Sequence, residues 1–502
     1  MHKISIKIQI ESKLYHMLSC LDRDPLSKTY GCFDRLYWGW KLKDYADITL
    51  QRMVYPTTKI LLDNNMLDNK HLHWILGSIK YTDKKLHSDG SIDQAFFGEH
   101  SHAGTGFLLF DITNLYILLK DLLNKEEKKL FISIFQKMGK YLLKYDENHG
   151  LISNHLLGVS ASLINLYLIQ QNEVYKVKAM EYIDRVIENQ NTEGYFVEYN
   201  GADAGYQSLA IYYLSYIYKN YPTDKIKKSL YKAVEFISYF IHPDGSYSGE
   251  YGSRNTEILY IGGLALLSDE NKLAKSIVSF MMNSYDNHKT VTLDSIDDGN
   301  LAPLLNSFLL ISHVDTKISD VELPYQCNFI KEFKDIGVIV YSNENYYSIV
   351  NIRKGGVLKV FDKKSLTNII NHSGFYYKKN ENYYTSSQCL NNNYEFINNT
   401  LKFKVLFSQL KQPIPSVLNF IILKLGYLVF NKSYFVRELF KKILAKLLIE
   451  RKADNVKGID IEIIFNQDSV NIEILDDSHR YEKKMKFSTI HMASSKYYQI
   501  EN

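Results

Sequence analysis

The sequence predicts a mainly α protein: an N-terminal (α/α) toroid of helix hairpins over residues 1–320, then a C-terminal antiparallel β-sandwich-like domain over 321–502 with a helical insertion. Three observations predict it. Helices in the first part are apolar around most of their circumference, a glycine-centred loop theme recurs between them, and after Pro324 the texture changes to alternating apolar and polar residues.

The clearest helical stretches are 108–124, 160–171 and 207–221, each apolar over more than half its circumference, as helices of an inner ring should be. Between helices lie the loops 87–102, 146–155, 191–207 and 242–255. Each begins with a polar-Gly turn, at Gly90, Gly150, Gly194 and Gly245, and then opens the next helix with small and polar residues. The turns recur about every 50 residues, the length of two helices and their connections. A closed ring gathers all such loops at one end. An open solenoid would use the same helices, but these loops are rich in His, Glu, Tyr, Asn and Arg, which favours closure around a functional cleft.

Beyond Pro324, the segments 337–352, 356–362, 374–379, 400–407, 458–465 and 469–476 read as strands that end at Asn, Asp or Gly turns. The insertion at 413–452 has helical periodicity on both sides of Gly426 and Asn431. Within 417–452 stand eight Lys or Arg and two Glu, a local charge of +6. Such a basic amphipathic hairpin suits peripheral contact with an anionic membrane, and equally an ordinary hairpin packed on the sheet.

Composition narrows the function. Across 502 residues the net charge is only +4, with 45% hydrophobic and 23% charged residues, so no nucleic-acid partner is predicted. The four cysteines, Cys20, Cys32, Cys327 and Cys389, lack CxxC spacing and are expected as free thiols. The first twenty residues carry charges throughout and lack a signal-like apolar run, which predicts a cytoplasmic protein, at most peripheral at the inner membrane face. No uninterrupted stretch of about eighteen apolar residues suggests a spanning helix.

No phosphate-binding glycine motif, GxSxG elbow or HExxH occurs. His100 and His102 beside Glu99 invite a metal reading, but their spacing matches no zinc pattern. No metal ligands and no cofactor are assigned; a divalent metal stays open. The richest constellation is EHSH (99–102), SNH (153–155), ADAGY (202–206) and GEYGSRN (249–255). Tyr206, Tyr251, His102 and His155 are the candidate acids and bases. Glu99, Asp203 and Glu250 offer carboxylates, Asn154 an amide, and Arg254 with Asn255 a means of holding a sugar carboxylate. Glu99 and Asp203 read equally well as helix caps, Arg254 as a structural ion-pair partner, and Tyr251 as a packing ring. Trp38 and Trp40, in a polar-aromatic run, suit stacking on sugar faces or an aromatic plug closing the ring.

Together, GCFDRLYWGWKLKDY, FFGEHSHAGTGF, EYNGADAGYQSL and YGSRNTE resemble the helical half of the heparinase II/III-like proteins, the superfamily of alginate and heparin lyases. The similarity is greatest to intracellular members associated with surface-polysaccharide clusters. The resemblance implies a Tyr and His acid/base pair with Asn or Arg holding the uronate carboxylate: Tyr206 or Tyr251, His102 or His155, and Arg254 with Asn255. The sequence departs from the family in lacking a secretion signal and in carrying the basic hairpin.

The expected function is therefore proton abstraction from a uronate-containing glycan, either β-elimination by a lyase or C5 epimerisation, with an oligo- or polysaccharide, free or lipid-linked, as partner. Two rivals stand beside it: a glycoside hydrolase on the same toroid, using Glu99, Asp203 and Glu250, and a non-catalytic glycan-binding or assembly protein.

Overall fold

In the computed structural model the chain is described over residues 2–147, 151–198, 201–311, 321–387, 393–410, 416–430, 433–448, 457–475 and 482–485. The helical part opens with α1 (His2–Cys20) and the short α2 (Arg35–Trp38). A 3-10 turn (Ile48–Met53) then runs into α3 (Val54–Asp63), followed by α4 (Asn69–Lys85), α5 (His102–Leu119), α6 (Lys125–Lys144) and α7 (Ser153–Gln170). After these come α8 (Glu173–Glu188), α9 (Ala204–Asn220), α10 (Asp224–Ser238), α11 (Gly262–Leu267), α12 (Lys272–Asp286) and α13 (Asp298–Ile311).

The odd-numbered helices from α3 to α13 form the inner ring. Each packs on the next, and α13 returns to contact α3 and the 3-10 turn, so the ring closes. The even-numbered helices from α4 to α12 form an outer layer, to which α1 adds against α3, α12 and α13. Sequence explains the division. In α7, Leu156 through Leu166 are buried without interruption, whereas α10 buries only one stripe, including Ile226, Leu230, Ala233, Val234 and Ile237. Outer helices start on polar caps, such as the Asn124–Glu127 capping box of α6 and Thr223 of α10. By length and composition α5 alone among the described helices is apolar enough to cross a membrane, and here it is a buried ring helix.

A buried polar knot ties the ring across its axis. Arg52 of the 3-10 turn donates to Asp111 of α5 at 2.6 Å and to the Tyr213 hydroxyl of α9 at 3.3 Å, while Asn306 of α13 donates to Asp111 at 2.9 Å. Burial opposes the guanidinium charge, but Asp111 and Tyr213 facing it more than offset this, so Arg52 stays protonated.

The β part comprises β1 (Phe329–Phe333), β2 (Val338–Ser342), β3 (Tyr346–Asn351), β4 (Val357–Asp362), β5 (Thr367–Lys379), β6 (Asn382–Thr385), β7 (Tyr394–Ile397) and β8 (Thr400–Gln409). The helices α14 (Val417–Phe430) and α15 (Tyr434–Leu448) interrupt it before β9 (Lys457–Phe465), β10 (Val470–Ile474) and β11 (Glu482–Met485). All pairings are antiparallel, in the order β1-β2-β3-β4-β5-β6-β8-β9-β10, with β11 on β5 and β7 on β8. The sheet folds into two layers around a core that joins Ile339, Val350, Leu358 and Phe375 to Phe403, Val405, Ile461 and Ile463.

The opposite face of the first layer, with Val338, Val340, Tyr347, Ile349 and Phe361, belongs to the core of the toroid. This is why all five residues of β2 are buried: the strand is covered on both faces. Tyr347 also donates to the Tyr239 carbonyl at 2.6 Å. Helix gives way to strand between Ile311 and Phe329; the expected boundary at 320/321 abuts residues 312–320, which lie outside the described residues.

The insertion corrects one expectation. Among the described residues the α14–α15 hairpin docks on the loops of the toroid: Tyr427 stacks on Phe96 with ring centroids 4.7 Å apart, and Lys424 reaches Asp44 at 2.8 Å. Cys20, Cys32 and Cys327 are free thiols; Cys389 lies outside the described residues.

If the axial knot holds the ring, Asp111→Ala leaves a buried guanidinium unpaired and lowers stability by about 3–5 kcal/mol. The check is the midpoint of loss of helical circular dichroism in urea; an unchanged midpoint would show that the ring closes without the ion pair.

Candidate active site

The inner helices α5, α7 and α9 all begin at the end of the ring where the loops gather. The turn theme is a true structural repeat. In each of three turns the glycine N–H donates to the carbonyl three residues earlier: Gly90 to His87, Gly194 to Asn191 and Gly245 to His242. All three glycines have φ between 88° and 101°, a backbone that a side chain would strain. Gly150 lies outside the described residues.

One cluster stands where α7 and α9 start. Asn154 is buried and its amide donates to the Glu198 carboxylate at 2.9 Å. The neighbouring His155, with about a quarter of its side chain exposed, holds its Nδ1 2.8 Å from Glu147. Asp203 caps α9 by accepting from the Tyr206 backbone N–H at 3.1 Å, and its other oxygen accepts from the backbone N–H groups of Arg254 at 2.9 Å and Thr256 at 3.3 Å. The 249–256 loop is thereby drawn onto the start of α9, and the Arg254 guanidinium lies over the Tyr206 ring, 5.4 Å from its centroid. The approach leaves no room for side chains. A Cβ on Gly205 would stand 2.3 Å from Thr256 Cγ2, and one on Gly252 would stand 2.9 Å from Asp203 Oδ2.

The ionisations follow from this crowding. Burial pushes the Glu198 carboxyl up to about 7, although His155, Arg254 and the Asn154 amide all favour its charged form. His155 is raised despite burial, because Glu147 pairs with its imidazolium and Glu198 adds to the effect. Burial lifts Tyr206 well above the usual phenol range, with Arg254 pulling the other way. Asp203 is raised by burial against its three backbone donors. The set therefore offers a neutral phenol, a carboxylate-paired histidine, a carboxyl raised by burial and a guanidinium.

The remaining candidates lie elsewhere. Tyr251 is fully buried against the β layer: its hydroxyl bonds His242 Nε2 at 2.8 Å, its carbonyl accepts from Asn351 at 2.7 Å, and Lys359 stands over its ring. Glu250 accepts from Ser373, and Asn255 accepts from Lys354 rather than standing with Arg254. His102 is the first residue of α5, enclosed by the rings of Tyr141 and Tyr182. Glu99 accepts from the backbone N–H groups of Gln94 and Ala95 within its own loop. Trp38 donates to the Cys20 carbonyl at 2.8 Å and carries Arg35 on its ring, whereas Trp40 is exposed.

Sequence reasoning missed Glu147, Glu198, His242 and Lys359. His242 was legible: HSDGS at 87–91 and HPDGS at 242–246 form the same turn, with Asp89 and Asp244 each accepting from the serine two residues on. Glu147 lies in irregular chain and Glu198 at an isolated β-bridge, and neither position carries a motif that marks it. Lys359 is one polar residue on an alternating strand, and only its burial, which lowers it to about 8, marks it. One set of potential metal ligands occurs among the described residues: His16 and Cys20 of α1 with Asp298 of α13, their ligand atoms within 4.8 Å of one another.

No protein-family model matches the sequence, and no curated protein sequence matches it. Solved structures do. The chondroitin AC lyase of Streptomyces coelicolor A3, solved with chondroitin sulphate, is 11% identical with a TM-score of 0.52, over 81% of this chain and 66% of that one. A Paenibacillus xanthan lyase is 11% identical with a TM-score of 0.52, over 82% of this chain and 46% of the lyase. Heparinase III is 11% identical with a TM-score of 0.52, over 80% of this chain and 66% of its own. The chain thus spans just under two-thirds, or less, of the length of these proteins, and at such identity what it shares with them is the fold.

The Glu198 carboxyl gives a test with a definite sign. Its folded pKa, about 7, is above the ordinary 4.5, so the fold binds this proton more tightly than the unfolded chain does. The stability it contributes is complete below about pH 4.5 and lost as pH rises towards 7. His155, also raised, acts with the same sign. Glu198→Gln removes the Glu198 part: the variant matches the parent near pH 4.5 and gains on it by up to about 3 kcal/mol at pH 8. Melting curves across that range check this; parallel pH dependences would refute the burial assigned to Glu198.

Proposed function

We propose that the protein is a carbohydrate-active enzyme of the heparinase II/III-like type, acting on a uronate-containing glycan by abstracting the proton next to the sugar carboxylate. The observation that carries this reading is the convergence of Asn154, His155, Tyr206 and Arg254, held by Asp203 at the loop end of a polysaccharide-lyase fold.

The chemistry needs three things. The substrate carboxylate must be held and its charge offset, so that the electrons left when the C5 proton departs can delocalise onto it; Arg254 and the Asn154 amide are the groups to do so. A base must take the proton, and His155 in its neutral form, oriented through Nδ1 by Glu147, has its Nε2 for that task. An acid must supply a proton. Tyr206, kept as a neutral phenol, gives it to the departing C4 oxygen in β-elimination, as the C4–O bond breaks and the C4–C5 double bond forms. In an epimerase the same phenol returns a proton to C5 from the opposite face.

The hydrolase reading is weakened at the carboxylates it would use. Asp203 accepts from three backbone N–H groups, Glu250 is bonded by Ser373, and Glu99 is bonded by its own loop.

With an accepted uronate oligosaccharide, Tyr206→Phe should lower kcat by about a hundredfold or more while KM changes little, and Arg254→Lys should chiefly raise KM. Amide substitutions at Glu99 and Glu250 should leave turnover largely intact. Loss of turnover at two carboxylates, with full activity in Tyr206→Phe, would establish the hydrolase instead.

A further inference from the structure

The α14–α15 hairpin leaves an unusual surface uncovered. On α14, Leu418, Ile421, Ile422 and Leu425 are each about half exposed or more, at the spacing of one helical face. On α15, Phe435, Leu439 and Ile443 repeat the pattern at every fourth position. These faces are not turned to the protein. The hairpin grips the toroid by other residues: Tyr427 and Phe440 close on Phe96, Tyr434 donates to the Asp146 carbonyl at 3.3 Å, and Arg437 stands 3.7 Å from Asp89.

The toroid side of this junction also exposes apolar side chains. Lys424 bridges to Asp44, and a few residues before Asp44 the chain exposes Trp40 and Leu42 beside Lys41. Phe97, next to the stacked Phe96, is also exposed. Apolar side chains are thus interleaved with cations, and the segment 417–452 carries a net charge of +6.

We propose that this surface docks the loop end of the toroid on an anionic lipid bilayer. Charge selects the occupant: exposed large apolar side chains and an exposed Trp, in a protein whose 417–452 segment is rich in lysine by sequence, match the boundary between acyl chains and anionic headgroups. Length selects the mode. The 14 residues of α14 span about 21 Å, short of the roughly 30 Å hydrocarbon core, so the helix lies along the interface and does not cross it. The docking residues Asp44, Phe96, Asp89 and Asp146 belong to the loops at which the inner helices begin, so the surface that meets lipid adjoins the Glu147–His155 pair. A membrane-attached glycan then becomes the substrate class, a consequence that rests on the function proposed above; the docking itself does not.

The test is co-sedimentation of the full chain with vesicles of phosphatidylcholine alone and of phosphatidylcholine mixed with phosphatidylglycerol. Binding should appear with the anionic vesicles and weaken as salt is raised. The double variant Ile421→Asp, Leu425→Asp should reduce it by about tenfold or more at an unchanged melting temperature. Trp40→Ala, at an exposed position, gives a second reading and should weaken binding by severalfold. Failure to bind anionic vesicles, or equal binding by both variants and the parent, overturns the proposal. So does a parent that is a stable dimer without lipid affinity and that the double variant makes monomeric, which would identify a second copy of the chain as the covering partner. None of these outcomes depends on turnover, so a failure of docking is distinct from a failure of the enzymatic reading.

Discussion

The candidate site depends on one carboxylate. Asp203 is almost completely removed from water and accepts three backbone N–H groups, one from the first turn of α9 and two from the 249–256 loop. A charged acceptor is needed because no neutral side chain of that size can satisfy all three donors, and leaving a buried donor unmet costs about 1–3 kcal/mol each. The carboxylate therefore fixes the distance between helix and loop, and with it the placement of Arg254 over Tyr206. Gly205 and Gly252 are the steric counterpart, since a side chain at either would push the two segments apart. The reading of Asp203 as a helix cap and its assignment to the site are thus compatible: it serves the site by capping.

The ring supplies what a single hairpin cannot. Because the inner helices close on one another and are locked by Arg52 and Asp111, the starts of α7 and α9 present their side chains from a rigid frame. Asn154, His155, Glu198 and Tyr206 are then crowded in a region poor in water, where burial raises Glu198 and Tyr206 and the facing carboxylates raise His155. The β layer completes the loop end. Lys354 donates to the Gly252 carbonyl at 2.6 Å, and Asn351 holds the Tyr251 carbonyl, so the loop that bears Arg254 is gripped from α9 on one side and from the sheet on the other.

Much of this was legible in the sequence, for physical reasons. Inner helices declare themselves by being apolar all round, and α5, α7 and α9 correspond to the three strongest periodic stretches. The principal strands β2, β3, β4, β8, β9 and β10 alternate and end at turns; β1, β6 and β7 are short edge or linking strands whose residues carry too little pattern. Within the site, Asn154, His155, Asp203, Tyr206 and Arg254 stand in loops whose unusual chemistry marked them. What the sequence did not reveal was which loops meet. Tyr251 is only three residues from Arg254 yet faces the sheet and His242; it sits inside the turn closed by the Gly252 N–H on the Gly249 carbonyl, while Arg254 follows that turn. Nor was the docking of the hairpin legible: a basic amphipathic pair of helices has the same pattern whether its apolar side rests on a sheet, a toroid or lipid.

The central claim is that the Asn154, His155, Tyr206 and Arg254 cluster moves a proton at the carbon beside a uronate carboxylate. The most direct measurement is incubation of the purified protein with a panel of uronate-containing oligosaccharides in deuterated water, followed by ultraviolet absorbance and mass spectrometry of the products. The products should show either the absorbance of an unsaturated uronate with chain cleavage, or deuterium at C5 without cleavage. New reducing ends with neither absorbance nor deuterium would contradict it.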